Sequence, residues 1–273
     1  MTDQIPFVLE RDAAGATADI FADIKAMQRV ATVNLIWRHL AVVPAELERA
    51  WQAARPIYAS QQVPAFLDHF AARLPVLSVA PWTTAQLTHA LGAAAEVPAL
   101  AATFATYNRG NAQNLLTLCA LLVQPGALAP LDAGASARLL GVPAAVVPPV
   151  PELDELPPLV VEKVMELNRF GADGAPQQIV ATLYKHLAHW PGMVDLTLAT
   201  LAPLAHSGAL LEAVGRTRAV ASETAAGLAN LRMELGDDDV GSGARAKIQV
   251  FTEHLICRLL PVGLTLQRAL SHT

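Results

Sequence analysis

Most side chains in this chain that could do chemistry stand alone among alanines and leucines, so the polar run Tyr107-Asn108-Arg109-Gly110-Asn111-Ala112-Gln113-Asn114 stands out. It interrupts a helical pattern and leads into Leu115-Leu116-Thr117-Leu118-Cys119. An Asn-x-Gly-Asn turn at this point sets an amide at the start of a helix, where backbone N–H groups are free to hold an anion. A plain helix junction with Asn111 as N-cap accounts for the same residues. The other group of interest is imidazole. His39 and His186 occupy equivalent places in two similar segments, and an imidazole with an ordinary pKa near ~6.5 is a competent base at neutral pH. Packing, or a helix C-terminus where a carbonyl satisfies the ring, explains both histidines equally well.

Metal chemistry has little support. His39 has no second ligand at i+3 or i+4, and His186-x-x-His189 lacks a carboxylate or cysteine partner. The acids of Gly236-Asp237-Asp238-Asp239 do not alternate as a calcium loop requires, so a solvated loop is expected there. Asp195 should face solvent on the helix after Pro191, and Asp173 is a further acid of the second half. Cys119 and Cys257 fall in apolar helices without a Cys-x-x-Cys motif and read as small hydrophobes. We expect no metal and no cofactor.

The elements that position these groups come in two copies. Val33-Asn34-Leu35-Ile36-Trp37-Arg38-His39-Leu40-Ala41-Val42-Val43-Pro44 parallels Val180-Ala181-Thr182-Leu183-Tyr184-Lys185-His186-Leu187-Ala188-His189-Trp190-Pro191. The offset is constant without a gap: 180−33, 186−39, 191−44 and 203−56 all equal 147, the last pair being Pro56 and Pro203. That period is too long for a solenoid, whose repeats run about 20 to 50 residues. The expected fold is therefore all-α, two tandem helical repeats forming a pseudo-dimer with a pocket at the pseudo-twofold interface. The first repeat covers residues 1–124, a proline-rich linker 125–158, and the second repeat 159–273.

Periodicity supports helix almost throughout. Ile20, Phe21, Ile24 and Met27 share one face after a Thr17 cap. Pro44 suits the first turn of a helix striped by Leu47, Trp51, Ala54 and Ile57. Further helices open at Thr83-Thr84, at Val97-Pro98 and at Val160. A short one is expected near Ala135 to Leu140 inside the linker, and a last long one runs from Ala244 to Ala269 with a kink or break at Pro261. No stretch alternates as a strand would.

Composition narrows the function classes. With 53% hydrophobic and 16% charged residues the chain can fill a large core. Its longest apolar runs, such as Leu115 to Val123, fall short of the ~20 residues that span a bilayer. A net charge of −5 with no Lys/Arg cluster leaves no footprint for nucleic acid or anionic membrane. The start Met1-Thr2-Asp3-Gln4 is unlike a signal peptide, and a cytoplasmic location is expected. Small molecules or proteins remain as partners, and a homodimer is compatible with them.

Taken together, these residues resemble the group I (D,L-specific) 2-haloacid dehalogenases, an all-helical family of two tandem repeats. Asn108-Arg109-Gly110-Asn111 followed by Leu115-Leu116 is similar to the family's Asn-x-Gly-Asn pocket segment. Asp23-Ile24-Lys25 through Arg29-Val30, then Arg38 and Pro44, resemble its first-repeat pocket helices. Pro157-Pro158-Leu159-Val160 resembles the end of its linker and Trp190-Pro191 its second-repeat landmark. The resemblance covers most of the chain.

It implies a small carboxylic acid ligand in a central pocket, with water activated by an aspartate and an asparagine to displace halide directly. The water-positioning asparagine falls on Asn111, within the Asn108 segment. The pocket aromatics fall on Thr32 and Leu35. The aspartate falls on Leu183, which cannot take a proton, after Thr182 where the family has serine. His186, one helical turn beyond Leu183, is the candidate replacement base, and His39 would meet it at the pseudo-twofold axis. The alternative is a relative that has lost catalysis and serves as a binding or structural protein.

Overall fold

The computed structural model describes residues 5–127, 147–173, 179–235 and 240–270. The short helix expected near Ala135 to Leu140 and the three acids of 237–239 lie outside these residues. Among the described residues there is no β-strand. The helices are α1 (Gly15–Gln28), α2 (Leu35–Leu40), α3 (Pro44–Ala59), α4 (Val63–Arg73), α5 (Thr84–Leu91) and α6 (Val97–Leu122). They continue as α7 (Pro158–Leu167), α8 (Thr182–Leu187), α9 (Pro191–His206), α10 (Ala209–Leu228), α11 (Ser242–Val250) and α12 (Cys257–Leu270).

Several starts follow from local chemistry. Pro44 and Pro191 stand at the first turn of α3 and α9, where the missing N–H costs nothing. Thr83 caps α5 in a reciprocal capping box with Gln86. Thr17, by contrast, is not the cap of α1: the helix already starts at Gly15, behind Ala14, with no side-chain cap. At its other end Arg29 sits in the left-handed region (φ 54°), an uncommon place for a residue with a Cβ, and turns the chain toward Val30 and Val33.

The two similar segments carry matched elements. Helices α2 and α8 each have 6 residues, and α3 and α9 each have 16. Val43 and Trp190, the residues before the two prolines, share one conformation (φ/ψ −119°/93° and −117°/92°). A single apolar cluster runs from Phe21 to Leu270 through both halves.

Helix α6 is the axis of the molecule, about 39 Å long at 1.5 Å per residue, packed chiefly against α10 and α12. It corrects one expectation: residues 107–114 do not break it. Asn111 lies mid-helix, so it is no N-cap and no free backbone N–H surrounds it. The polar side chains are accommodated because distant partners satisfy them. Asn114 Oδ1 accepts from Trp37 Nε1 (2.6 Å), Tyr58 OH (3.0 Å) and Gln28 Nε2 (3.2 Å). Its Nδ2 donates to Gln28 Oε1 (2.9 Å) and Gly110 O (2.6 Å).

A second correction concerns Pro261. Helix α12 continues through it, and the irregularity lies earlier, in the π-helical turn Phe251–Ile256 between α11 and α12. No single helix among the described residues is long and apolar enough to cross a membrane.

Candidate functional site

A cavity of about 60 Å³ lies beside the middle of α6. That is room for a few waters or one molecule of a few heavy atoms. Its wall draws on both halves of the sequence: Thr32, Leu35, Arg38 and Asn111 from the first, Thr182 and Leu259 from the second. Leu255 and Ile256 reach it from the π-helical turn, and Glu10 from the segment before α1. Of the residues selected from sequence, Thr32, Leu35, Asn111 and Thr182 lie on this wall. Asn108, Leu183 and His186 do not.

Asn111 is built into the site through a neighbour. Asn34 caps α2 by accepting the Ile36 N–H on Oδ1 (3.3 Å), which turns its own Nδ2 toward Asn111. Asn111 must accept that N–H with Oδ1, at 2.9 Å. Its Nδ2 is therefore buried and without a partner, on a residue of the cavity wall. The orientation follows from the hydrogen-bond chain, since amide O and N are otherwise interchangeable. Asn111 thus offers the cavity a donor and cannot accept a proton from water.

Arg38 supplies the charge. It is 7% exposed, its Nη2 donates to Thr182 Oγ1 at 3.3 Å across the two halves, and Nε has no partner. Among the described residues no carboxylate forms an ion pair with it. Burial lowers its pKa, while the nearby carboxylates of Glu10 and Glu152 favour the cation. A guanidinium remains charged regardless. Its positional counterpart in the second half (38 + 147) is Lys185, equally buried, but neutralised by Glu152 Oε2 at 2.7 Å. Phe7 contacts both cations, its ring centre 5.0 Å from the Arg38 guanidinium carbon and 5.4 Å from Lys185 Nζ. One buried positive charge is thus left facing a small hole that also contains an unpaired amide donor. That combination suits a small anion with two oxygens, because a guanidinium and a carboxylate pair with charge-assisted bonds.

The N-terminal segment closes this side. Val8 N donates to Arg38 O (3.0 Å), and the His39 ring contacts Pro6 O through Nδ1 (2.6 Å). Glu10 Oε1 accepts from Val33 N (2.8 Å) and Oε2 from Lys25 Nζ (3.0 Å). His39 also stacks on Phe251, so it is committed to the segment and does not meet His186.

His186 is fully buried behind Tyr107, with Nδ1 3.2 Å from the phenol oxygen. Tyr107, not His186, reaches the cavity. Burial, reinforced by His189, pushes the imidazole pKa down to about 4. A ring so weakly basic is neutral near pH 7 and a poor proton acceptor there. Burial also raises the Tyr107 pKa, which keeps the phenol neutral. Leu183 is fully buried in the core. Asn108 leaves the site altogether: its Nδ2 donates to Gln267 Oε1 (2.6 Å), and its Oδ1 lies against Gly263, where any Cβ would collide with it.

Buried Arg258 helps set the position of Thr182. It donates to Asn168 O (2.6 Å) and Asn168 Oδ1 (3.2 Å). Asn168 in turn binds Ile179 O and the Ala181 N–H, immediately before α8. Among the described residues no three His, Cys, Asp or Glu side chains come together to hold a metal. Cys119 and Cys257 are free thiols whose pKa values burial raises, to about 12 for Cys119. Asp195 pairs with Lys163 at the surface.

Sequence reasoning missed Glu10, took Tyr107 only as the first residue of a polar run, and noted Arg38 only as a landmark. For Arg38 a signal existed: a cation inside a repeated segment that is otherwise mainly apolar. For Glu10 there was none, because the segment before α1 has no period.

No protein-family model and no curated protein matches the sequence. Solved structures do match it along nearly its whole length. A D-2-haloacid dehalogenase in complex with L-LA superposes with a TM-score of 0.77 at 18% identity, over 98% of this chain and 97% of that one. A D-2-haloacid dehalogenase mutant gives 0.76 at 17% identity, over 98% and 96%. The complex of a D-2-haloacid dehalogenase mutant with D-2-CPA gives 0.70 at 18%, over 99% and 94%. At such identities the likeness is one of architecture: this chain has the all-helical fold of the D-2-haloacid dehalogenases.

Proposed function

We propose that this protein is dehalogenase-like in binding a small 2-substituted carboxylic acid, of the 2-haloacid class, in the cavity beside α6. The observation that carries this reading is the buried Arg38 guanidinium, which has no ion pair among the described residues, on the same cavity wall as Asn111 with its unpaired Nδ2. In this reading Arg38 and Thr182 hold the carboxylate. Asn111 orients a water or the 2-substituent, and Leu35, Leu255, Ile256 and Leu259 pack the alkyl group. The small volume supports an acid of a few heavy atoms.

Calorimetric titration with D- and L-2-chloropropionate tests it. Truncating one member of a buried charge pair costs about 2–5 kcal/mol, so Arg38→Met should weaken binding by roughly 30-fold or more. An unchanged dissociation constant would sink the assignment. A second reading, a non-catalytic binder, is favoured by Leu183, which is buried in the core at the place where a base is expected. It predicts the same binding and no halide release.

A further inference from the structure

Among the cavity's lining residues there is one carboxylate, Glu10, and it reaches the wall from the segment preceding α1. Its two oxygens are held by different donors, Val33 N at 2.8 Å and Lys25 Nζ at 3.0 Å. Each carboxylate oxygen can accept two hydrogen bonds, so both retain a lone pair. Its charge is felt at Arg38 and at Tyr107, two other wall residues. A carboxylate fixed by a backbone N–H and a lysine, on the same cavity wall as an unpaired amide donor and a guanidinium without an ion pair among the described residues, is a constellation suited to general-base hydrolysis.

We infer that Glu10 is the proton acceptor of this cavity, drawing a proton from the water that Asn111 Nδ2 holds while that water displaces the 2-substituent of the bound acid. This inference rests on the reading proposed above. In the step, the water oxygen forms a bond to C2 of the acid. The carbon–halogen bond breaks, and its electron pair leaves as halide. Glu10 takes one water proton and later releases it to solvent, so the products are a 2-hydroxy acid, halide and a proton. Lys25 is a positioning residue that fixes Glu10 by holding Oε2. The base thus comes from the N-terminal segment instead of α8, where Leu183 stands.

The test compares wild type with Glu10→Gln, using 2-chloropropionate as the probe and reading binding and halide release separately. A glutamine keeps the size and an acceptor for Val33 N but is not a base. The inference predicts that Glu10→Gln binds the acid with a dissociation constant within about threefold of wild type and loses at least ~100-fold in halide release. In one turnover in H₂¹⁸O the label should enter the hydroxy acid. Label found in Glu10 instead would make it a nucleophile and overturn its role as base. Binding with no release by wild type, or release that Glu10→Gln leaves unchanged, would overturn this inference while leaving the proposed binding intact. Absence of binding to wild type would overturn both.

Discussion

Asn111 owes its chemistry to Asn34. An asparagine amide can face a cavity with either end, and the N-cap bond from Ile36 N to Asn34 Oδ1 decides which end faces this one. The resulting donor favours an anion or a water oxygen. It follows that Asn111→Ala should weaken 2-chloropropionate binding by up to about tenfold, the loss of roughly one hydrogen bond, with the circular dichroism of the fold unchanged. Asn111→Asp should weaken binding further, because a carboxylate there repels the ligand. Equal binding by the aspartate variant in the same titration would contradict the donor role. Asn111 stands out in the sequence through its polar run, and Thr32, Leu35 and Thr182 become pocket candidates only through the resemblance to the dehalogenase family. Glu10 could not be read there, because nothing local links it to Val33 and Lys25, 23 and 15 residues away.

At the scale of elements, Asn114 binds four helices at once. It joins Gln28 of α1, Trp37 of α2, Tyr58 of α3 and Gly110 of its own α6. All these groups are buried, so Asn114→Leu takes away the acceptor that three donors share. At ~1–3 kcal/mol for each buried orphan, the variant should lose about 3 kcal/mol or more of stability, read as a lower denaturant midpoint. A loss under 1 kcal/mol would show that the groups find other partners. The same residue explains why α6 was legible at its start but not at its centre. Val97-Pro98 announces a helix locally. A run of amides announces a turn, and only partners 56 to 86 residues away reverse that reading. The last helical stretch is a similar case: Pro261 is visible in the sequence, whereas the π-helical turn before it is not.

At the scale of the whole molecule, two halves share one core and one cavity, and the tandem duplication we propose accounts for both the offset of 147 and the matched helix lengths. Their equivalent positions have diverged in pairing: Lys185 is neutralised by Glu152, whereas Arg38 donates to the Thr182 hydroxyl and forms no ion pair among the described residues. Burial also links the fold to pH. His186 has a folded pKa of about 4, below its ordinary value near 6.5, so the unfolded chain binds its proton first. Stability from this group is complete above about pH 6.5 and is lost as pH falls toward 4, by up to roughly 3 kcal/mol. Denaturant midpoints measured from pH 7 to 4 should fall more steeply for wild type than for His186→Gln. Parallel slopes would show that the ring is not buried neutral.

The most direct test of the account is a crystal structure grown with 2-chloropropionate. It should show the ligand carboxylate on the Arg38 guanidinium and Thr182 Oγ1, with Asn111 Nδ2 directed at the ligand or its water and Glu10 within hydrogen-bond reach of that water. A cavity holding only water at saturating ligand, or an acid bound away from Arg38, would contradict it.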